Sequence, residues 1–183
     1  PAAQGRGTAR PCRRTPPATP DQEQRAVAHS PEETIIARLN HAGKRLATAE
    51  SCTGGLIAHR LTNVPGASAC FMGGVIAYHN DVKLRLLGVD EGTLAVFGAV
   101  SEATAREMAH GAQRVFGADY ALAVTGVAGP GGGTAEKPVG LVFIAAARPG
   151  EVWVTRNQFS GSREHIKQQT ADAALAMILE WIQ

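Results

Sequence analysis

The sequence predicts an α/β layered fold around a mixed, mostly parallel sheet of about five strands. Three observations carry this reading. Short strand-like apolar runs alternate with segments of helical period, the pattern of strand–helix–strand units. The last two strand-like runs are joined only by Pro149-Gly150, which makes them an antiparallel hairpin and the sheet mixed. The chain has 183 residues, 44% of them hydrophobic and 19% charged, enough for one domain with a substantial core.

The elements follow in order. Residues 1–29 read as a disordered tail rich in Pro, Ala and Arg, and order is expected from residue 30 to residue 183. Ser30-Pro31-Glu32-Glu33 is a capping box with Pro at the first helical position, and Gly43 is a helix stop. Arg45 to Ala49 reads as a buried strand ending at Glu50-Ser51. Gly54-Gly55 opens a helix that stops before Pro65-Gly66. Phe71 to Tyr78 is a second strand, and Asn80 or Asp81 caps a short helix through Leu87. Leu94 to Ala99 reads as a connector, and Ser101-Glu102 opens a helix that ends at Gly117. Tyr120 to Val124 is a third strand. A loop follows with six Gly and Pro residues in its first eight positions, Gly126 to Gly133. Val139–Ala147 and Glu151–Phe159 are the hairpin strands. Ser162 caps a last helix with apolar positions at Ala171, Ala174, Leu175, Ile178, Leu179 and Ile182.

Composition narrows the function. The net charge is +2, but residues 1–30 alone carry +3, so the remainder is about −1. With aromatics at 5%, the body suits neither a basic nucleic-acid face nor base stacking. Three cysteines, Cys12, Cys52 and Cys70, include no Cys-x-x-Cys pair. This speaks against a disulfide framework or zinc knuckle and for a reducing, cytoplasmic setting. No apolar run is long enough to span a membrane. The N-terminal Arg-rich stretch hints at a transit peptide, but its five Pro residues oppose the amphipathic helix required. The six His residues are scattered without ligand spacing, and no metal site is expected.

Four segments can carry chemistry. Ser51 stands where a strand gives way to a glycine-led helix start, the edge at which open α/β sheets bind ligands. It can be a nucleophile near backbone N–H donors. Read alone, the run is explained somewhat more simply as a capped helix start. Cys52 is the reserve nucleophile, without a His partner, and no role is derived for Glu50. Tyr78-His79-Asn80-Asp81-Val82-Lys83 also follows a strand. Lys83 can activate Ser51 if burial keeps its amine partly neutral, with Tyr78 orienting or relaying the proton. An isolated lysine is ordinarily just solvated. Thr125 to Gly133 is a loop able to wrap phosphate or ribose, but it lacks Walker spacing. Ser160-Gly161-Ser162-Arg163 pairs a helix start with a guanidinium, as suits a phosphate, or is a plain cap beside an exposed Arg.

In order and spacing, six segments together resemble the CinA C-terminal domain family over residues 31–183. They are Ala49–Gly55, Tyr78-x-Asn80-x-x-Lys83, Gly98–Glu102, Thr125–Gly133, Glu136–Gly140 and Phe159–Arg163. The resemblance implies a three-layer α/β/α sandwich, assembly as a homo-oligomer, and a stand-alone amidohydrolase. The reaction implied is conversion of nicotinamide mononucleotide and water to nicotinate mononucleotide and ammonia, without cofactor, in pyridine-nucleotide recycling. It gives Ser51 the nucleophile role and makes Lys83 and Tyr78 the activating pair. Thr53, Gly54, Gly55, Asn80, Thr125, Gly126, Ala128, Gly129 and Arg163 map to substrate binding, with N–H groups near Thr53-Gly54 holding the oxyanion. Many members have Asp where Ser162 stands, which puts the anchoring of Arg163 in question. A nucleotide- or partner-binding module of the same fold without turnover is the alternative. A phosphoryl-transfer protein is a weaker one, opposed by the missing Walker lysine.

Overall fold

The computed structural model describes residues 29–182, so the expectation for the N-terminal tail lies outside the described residues. Twelve elements follow one another. They are α1 (Pro31–Ala42), β1 (Leu46–Glu50), α2 (Leu56–Thr62), a 3-10 turn (Ala67–Ala69), β2 (Phe71–Ile76), α3 (Asn80–Arg85), α4 (Glu91–Phe97), α5 (Glu102–Phe116), β3 (Tyr120–Gly126), β4 (Leu141–Arg148), β5 (Glu151–Gln158) and α6 (Arg163–Trp181).

The local signals act as their chemistry requires. Ser30 Oγ accepts from the Glu33 N–H at 3.2 Å while the Glu33 carboxylate accepts from the Ser30 N–H at 2.8 Å, closing the capping box of α1. Gly43 ends that helix in the left-handed conformation. Two boundaries differ from the sequence reading. The short helix α3 is capped by His79, whose ring accepts from the Asp81 N–H, and not by Asn80 or Asp81. The expected connector at Leu94–Ala99 is largely helix, because Asp90 caps α4 by accepting from the Thr93 N–H at 3.2 Å. No α4 residue is fully buried, so its hydrophobic signal was weak.

The sheet order is β2-β1-β3-β4-β5. β2, β1 and β3 pair in parallel, and β4 pairs antiparallel with both β3 and β5, so four strands point one way and one opposes them. The two sheet faces are built from different side chains. Leu46, Leu122, Val124, Val142 and Ile144 meet α1, α2 and α6 in the larger core. Ala47, Ala49, Ala121, Ala123, Ala145 and Ala147 form the other face, covered chiefly by α5. Small side chains there let α5 lie close. Gly111 extends that approach to the turn after α3, since a Cβ at this position would stand 2.1 Å from the Leu87 carbonyl oxygen. The result is a three-layer α/β/α sandwich. Among the described residues no helix is long and apolar enough to cross a membrane.

Candidate active site

The parallel register decides which residues meet. Glu50 at the end of β1 is opposite Ile76 of β2 and Val124 of β3. The next residues, Ser51, Ala77 and Thr125, therefore emerge side by side at the carboxyl edge. The ladder continues through them: the Ser51 N–H donates to the Val124 carbonyl at 3.0 Å and the Ala77 N–H donates to the Glu50 carbonyl at 2.7 Å. A cavity of about 220 Å³ opens at this edge.

Lys83, from α3, is 1% exposed. Its Nζ donates to Ser51 Oγ at 3.2 Å and to the Ala77 carbonyl at 2.7 Å. Among the described residues it has no carboxylate partner. Burial is the largest influence on its pKa and lowers it, while the nearby Cys52 acts in the opposite direction. An amine held this way is more often neutral than a solvated lysine, and its lone pair is available to the serine hydroxyl. Cys52 also borders the cavity, but burial pushes its thiol up to about 12, so it stays protonated near neutrality. The geometry favours Ser51 over Cys52 as nucleophile.

The turn after Ser51 is shaped by two glycines with φ of +65° and +97°, Gly54 and Gly55, a conformation costly for any residue with a Cβ. It is held from inside by Glu50. That carboxylate, 1% exposed, accepts from Thr53 Oγ1 at 2.7 Å and from the N–H groups of Gly55, Ile57 and Ala58 at 3.0, 3.1 and 2.8 Å. Thr53 thus turns its hydroxyl inward, away from any substrate, and neither it nor Gly54 nor Gly55 borders the cavity. The Gly54 N–H donates to the Ser51 carbonyl at 3.2 Å, so it is not a free oxyanion donor.

Tyr78 stands at the lip of the cavity, 62% exposed. Its hydroxyl accepts from Arg163 Nη2 at 2.8 Å rather than meeting Lys83 or Ser51. Arg163 Nη1 donates to the Gly129 carbonyl at 2.7 Å. The guanidinium therefore ties the glycine loop to Tyr78, and this clamp needs no carboxylate at position 162. Ser162 meanwhile caps α6 by accepting from the His165 N–H. Asn80, Thr125, Gly126 and Ala128 border the cavity, whereas Gly129 contributes through Arg163. Thr125 Oγ1 donates to the Ala99 carbonyl at 2.7 Å. This brings in Ala99 and Val100, wall residues with no chemical signal of their own beyond the Gly98–Glu102 segment. Lys137 Nζ donates to the Phe97 carbonyl and joins the far end of the glycine loop to the same wall. Among the described residues no three His, Cys, Asp or Glu side chains are grouped to hold a metal.

Known proteins share this fold and much of this sequence. A competence/damage inducible protein, CihA, from Agrobacterium tumefaciens is 44% identical with a TM-score of 0.79, over 86% of this chain and 99% of that one. A CinA superfamily protein from Enterobacter cloacae is 34% identical with a TM-score of 0.81, over 84% and 90%. In sequence, a putative competence-damage inducible protein of Moorella thermoacetica is 50% identical over 133 residues, and one of Caldicellulosiruptor bescii is 51% identical over 147. The chain spans only about a third of those two curated relatives, 32% and 36% of their lengths. The profile of the CinA C-terminal domain matches residues 28–182, a span that holds every strand of the sheet and every residue at the Ser51 cavity. On that match the chain belongs to the CinA C-terminal domain family.

Proposed function

We propose that the chain is an amidohydrolase that converts nicotinamide mononucleotide and water to nicotinate mononucleotide and ammonia. The carrying observation is the contact of Lys83 Nζ with Ser51 Oγ, made by a buried lysine without a carboxylate partner among the described residues. The choice of substrate is supported by the six-segment resemblance to the family's deamidases.

In this reading Ser51 Oγ attacks the carboxamide carbon while Lys83 accepts the hydroxyl proton. The carbonyl oxygen becomes an oxyanion facing backbone N–H groups. Collapse of the tetrahedral intermediate breaks the C–N bond, and Lys83 returns the proton to the departing nitrogen, releasing ammonia. Water then attacks the nicotinoyl ester with Lys83 again as base, which frees Ser51 and leaves the carboxylate product. The substrate phosphate is held near Arg163, where two of five guanidinium N–H donors are occupied by Gly129 and Tyr78. Tyr78 serves to orient that guanidinium.

The test is ammonia release from nicotinamide mononucleotide, with and without EDTA. Turnover in both is expected, and Ser51→Ala should lose about 10⁴-fold or more. A folded wild-type protein that releases no ammonia refutes the substrate, and inhibition by EDTA refutes the metal-free form. Assembly as a homo-oligomer is part of the same proposal, and light scattering on the purified chain checks it.

A further inference from the structure

Glu50 is a fully buried carboxylate that the reaction above does not use. It has no cation partner among the described residues. A buried charge is expensive unless it is fully hydrogen-bonded, and here four donors converge on it. All four come from the eight residues that follow it, the nucleophile turn and the first turn of α2. Glu50 therefore spends buried charge to hold the backbone on either side of Gly54-Gly55 in one shape.

The same bonds sort the donors of the turn. The N–H groups of Gly55, Ile57 and Ala58 are taken by Glu50, and that of Gly54 by the Ser51 carbonyl. Those of Cys52 and Thr53, directly after the nucleophile, have no oxygen acceptor among the described residues and lie against the Cys52 sulfur. They favour negative charge beside them. At the Cys52 thiol, where burial is the largest influence and raises the pKa, these two groups act in the opposite direction.

We propose that Glu50 is a positioning residue for the chemistry at Ser51: it sets the turn so that the N–H of Cys52, which borders the cavity directly after Ser51, remains the donor for the oxyanion. The inference rests on Ser51 being the nucleophile of the proposed reaction. It also makes a choice of sign. The Glu50 charge by itself disfavours a second anion nearby, so if charge were its main influence, Glu50→Gln would speed the reaction. Positioning requires the reverse. A glutamine can keep the bonds from Thr53, Gly55 and Ile57 to its oxygen, but its amide opposes the Ala58 N–H donor to donor, and the turn must shift.

The experiment compares wild type, Glu50→Gln, Thr53→Val and Thr53→Ser. Three quantities are measured: the rate of Ser51 labelling by a fluorophosphonate, kcat and KM for nicotinamide mononucleotide, and the melting temperature. The probe places a phosphoryl oxygen where the oxyanion would form, and Ser51→Ala gives the blank. Glu50→Gln and Thr53→Val are expected to lower labelling and kcat by about 10²-fold, as small misplacements of a catalytic array do. KM should change little, and the proteins should remain folded at assay temperature. Thr53→Ser, which keeps the hydroxyl, should stay near wild type. Labelling of folded Glu50→Gln at or above the wild-type rate overturns the proposal, as does a loss confined to KM. If Glu50→Gln does not fold, the Thr53→Val and Thr53→Ser pair decides by the same criterion. Wild type that labels at Ser51 but releases no ammonia refutes the substrate alone, and the labelling rates still decide on Glu50. Wild type that does neither overturns both.

Discussion

The depressed pKa of Lys83 has a stability signature separable from catalysis. The perturbation is Lys83→Met, which keeps length and flexibility while removing the amine. Lys83 makes two hydrogen bonds, to Ser51 Oγ and to the Ala77 carbonyl. At a pH where the folded-state amine is neutral, losing them should cost about 1–3 kcal/mol, at a net ~0.5–1.5 kcal/mol each. Below its folded-state pKa the wild type must also bury an ammonium, and methionine escapes that penalty. The sign follows from linkage. A folded-state pKa below the unfolded value means that the unfolded chain binds more protons between the two, so wild-type stability rises with pH across that interval, about 1.4 kcal/mol for each unit of lowering. The stability difference, wild type minus Lys83→Met, should therefore be smallest near pH 7 and grow towards pH 10. Urea unfolding of both proteins at pH 7, 8, 9 and 10 measures it, and the variant cancels the other titrating groups. Parallel profiles would refute the claim that burial depresses the Lys83 amine, and with it the case for Lys83 as a base near neutral pH.

Other outcomes follow from the same geometry. Wild-type log kcat/KM should climb with pH and level off as Lys83 loses its proton, and a flat profile from pH 6 to 10 contradicts the assigned base. Cys52→Ala should keep activity within roughly tenfold, because a thiol near 12 supplies little thiolate, and iodoacetamide at pH 8 should leave Cys52 unmodified in the folded protein. Arg163→Lys should raise KM almost as far as Arg163→Ala, since an ammonium cannot span Gly129 and Tyr78 as the planar fork does. Recovery of wild-type KM in Arg163→Lys would show that only the charge matters. Gly55→Ala, at a φ of +97°, should lower stability by about 1–2 kcal/mol in urea unfolding.

Much of this arrangement is legible in the sequence because its signals are local. The capping residues Ser30, Ser101 and Ser162 mark three helix starts, and Pro149-Gly150 forces the hairpin. Ser51, Lys83 and Thr125 lie at or after the ends of strands that pair in parallel, so their approach to one edge follows from that pairing, and Arg163 opens α6 after β5, which points the same way. What escaped depends on three-dimensional partners. Glu50 reads as an ordinary strand-end acid, because only the folded turn shows N–H groups from five, seven and eight residues later returning to it. Thr53 reads as available to substrate until that same carboxylate claims its hydroxyl. Tyr78 reads as a partner of Lys83 through nearness in sequence, yet its hydroxyl pairs with Arg163, 85 residues away. Helix α4 is hidden because it lies half-exposed, with Leu94 as its main contact to the core.

The paired ends of β2, β1 and β3 act as a ruler. Neighbouring strands in any sheet lie about 4.8 Å apart, a spacing set by backbone hydrogen bonds and almost indifferent to side chains. Ala77, Ser51 and Thr125 are mounted on successive divisions of that scale, so their separations are inherited from the ladder rather than tuned one by one. The glycine loop and the wall around Ala99 are mounted elsewhere and joined by single tethers at Lys137 and Thr125. Variation in those two segments can reshape what enters the cavity while the distance from Lys83 to Ser51 stays as the sheet made it.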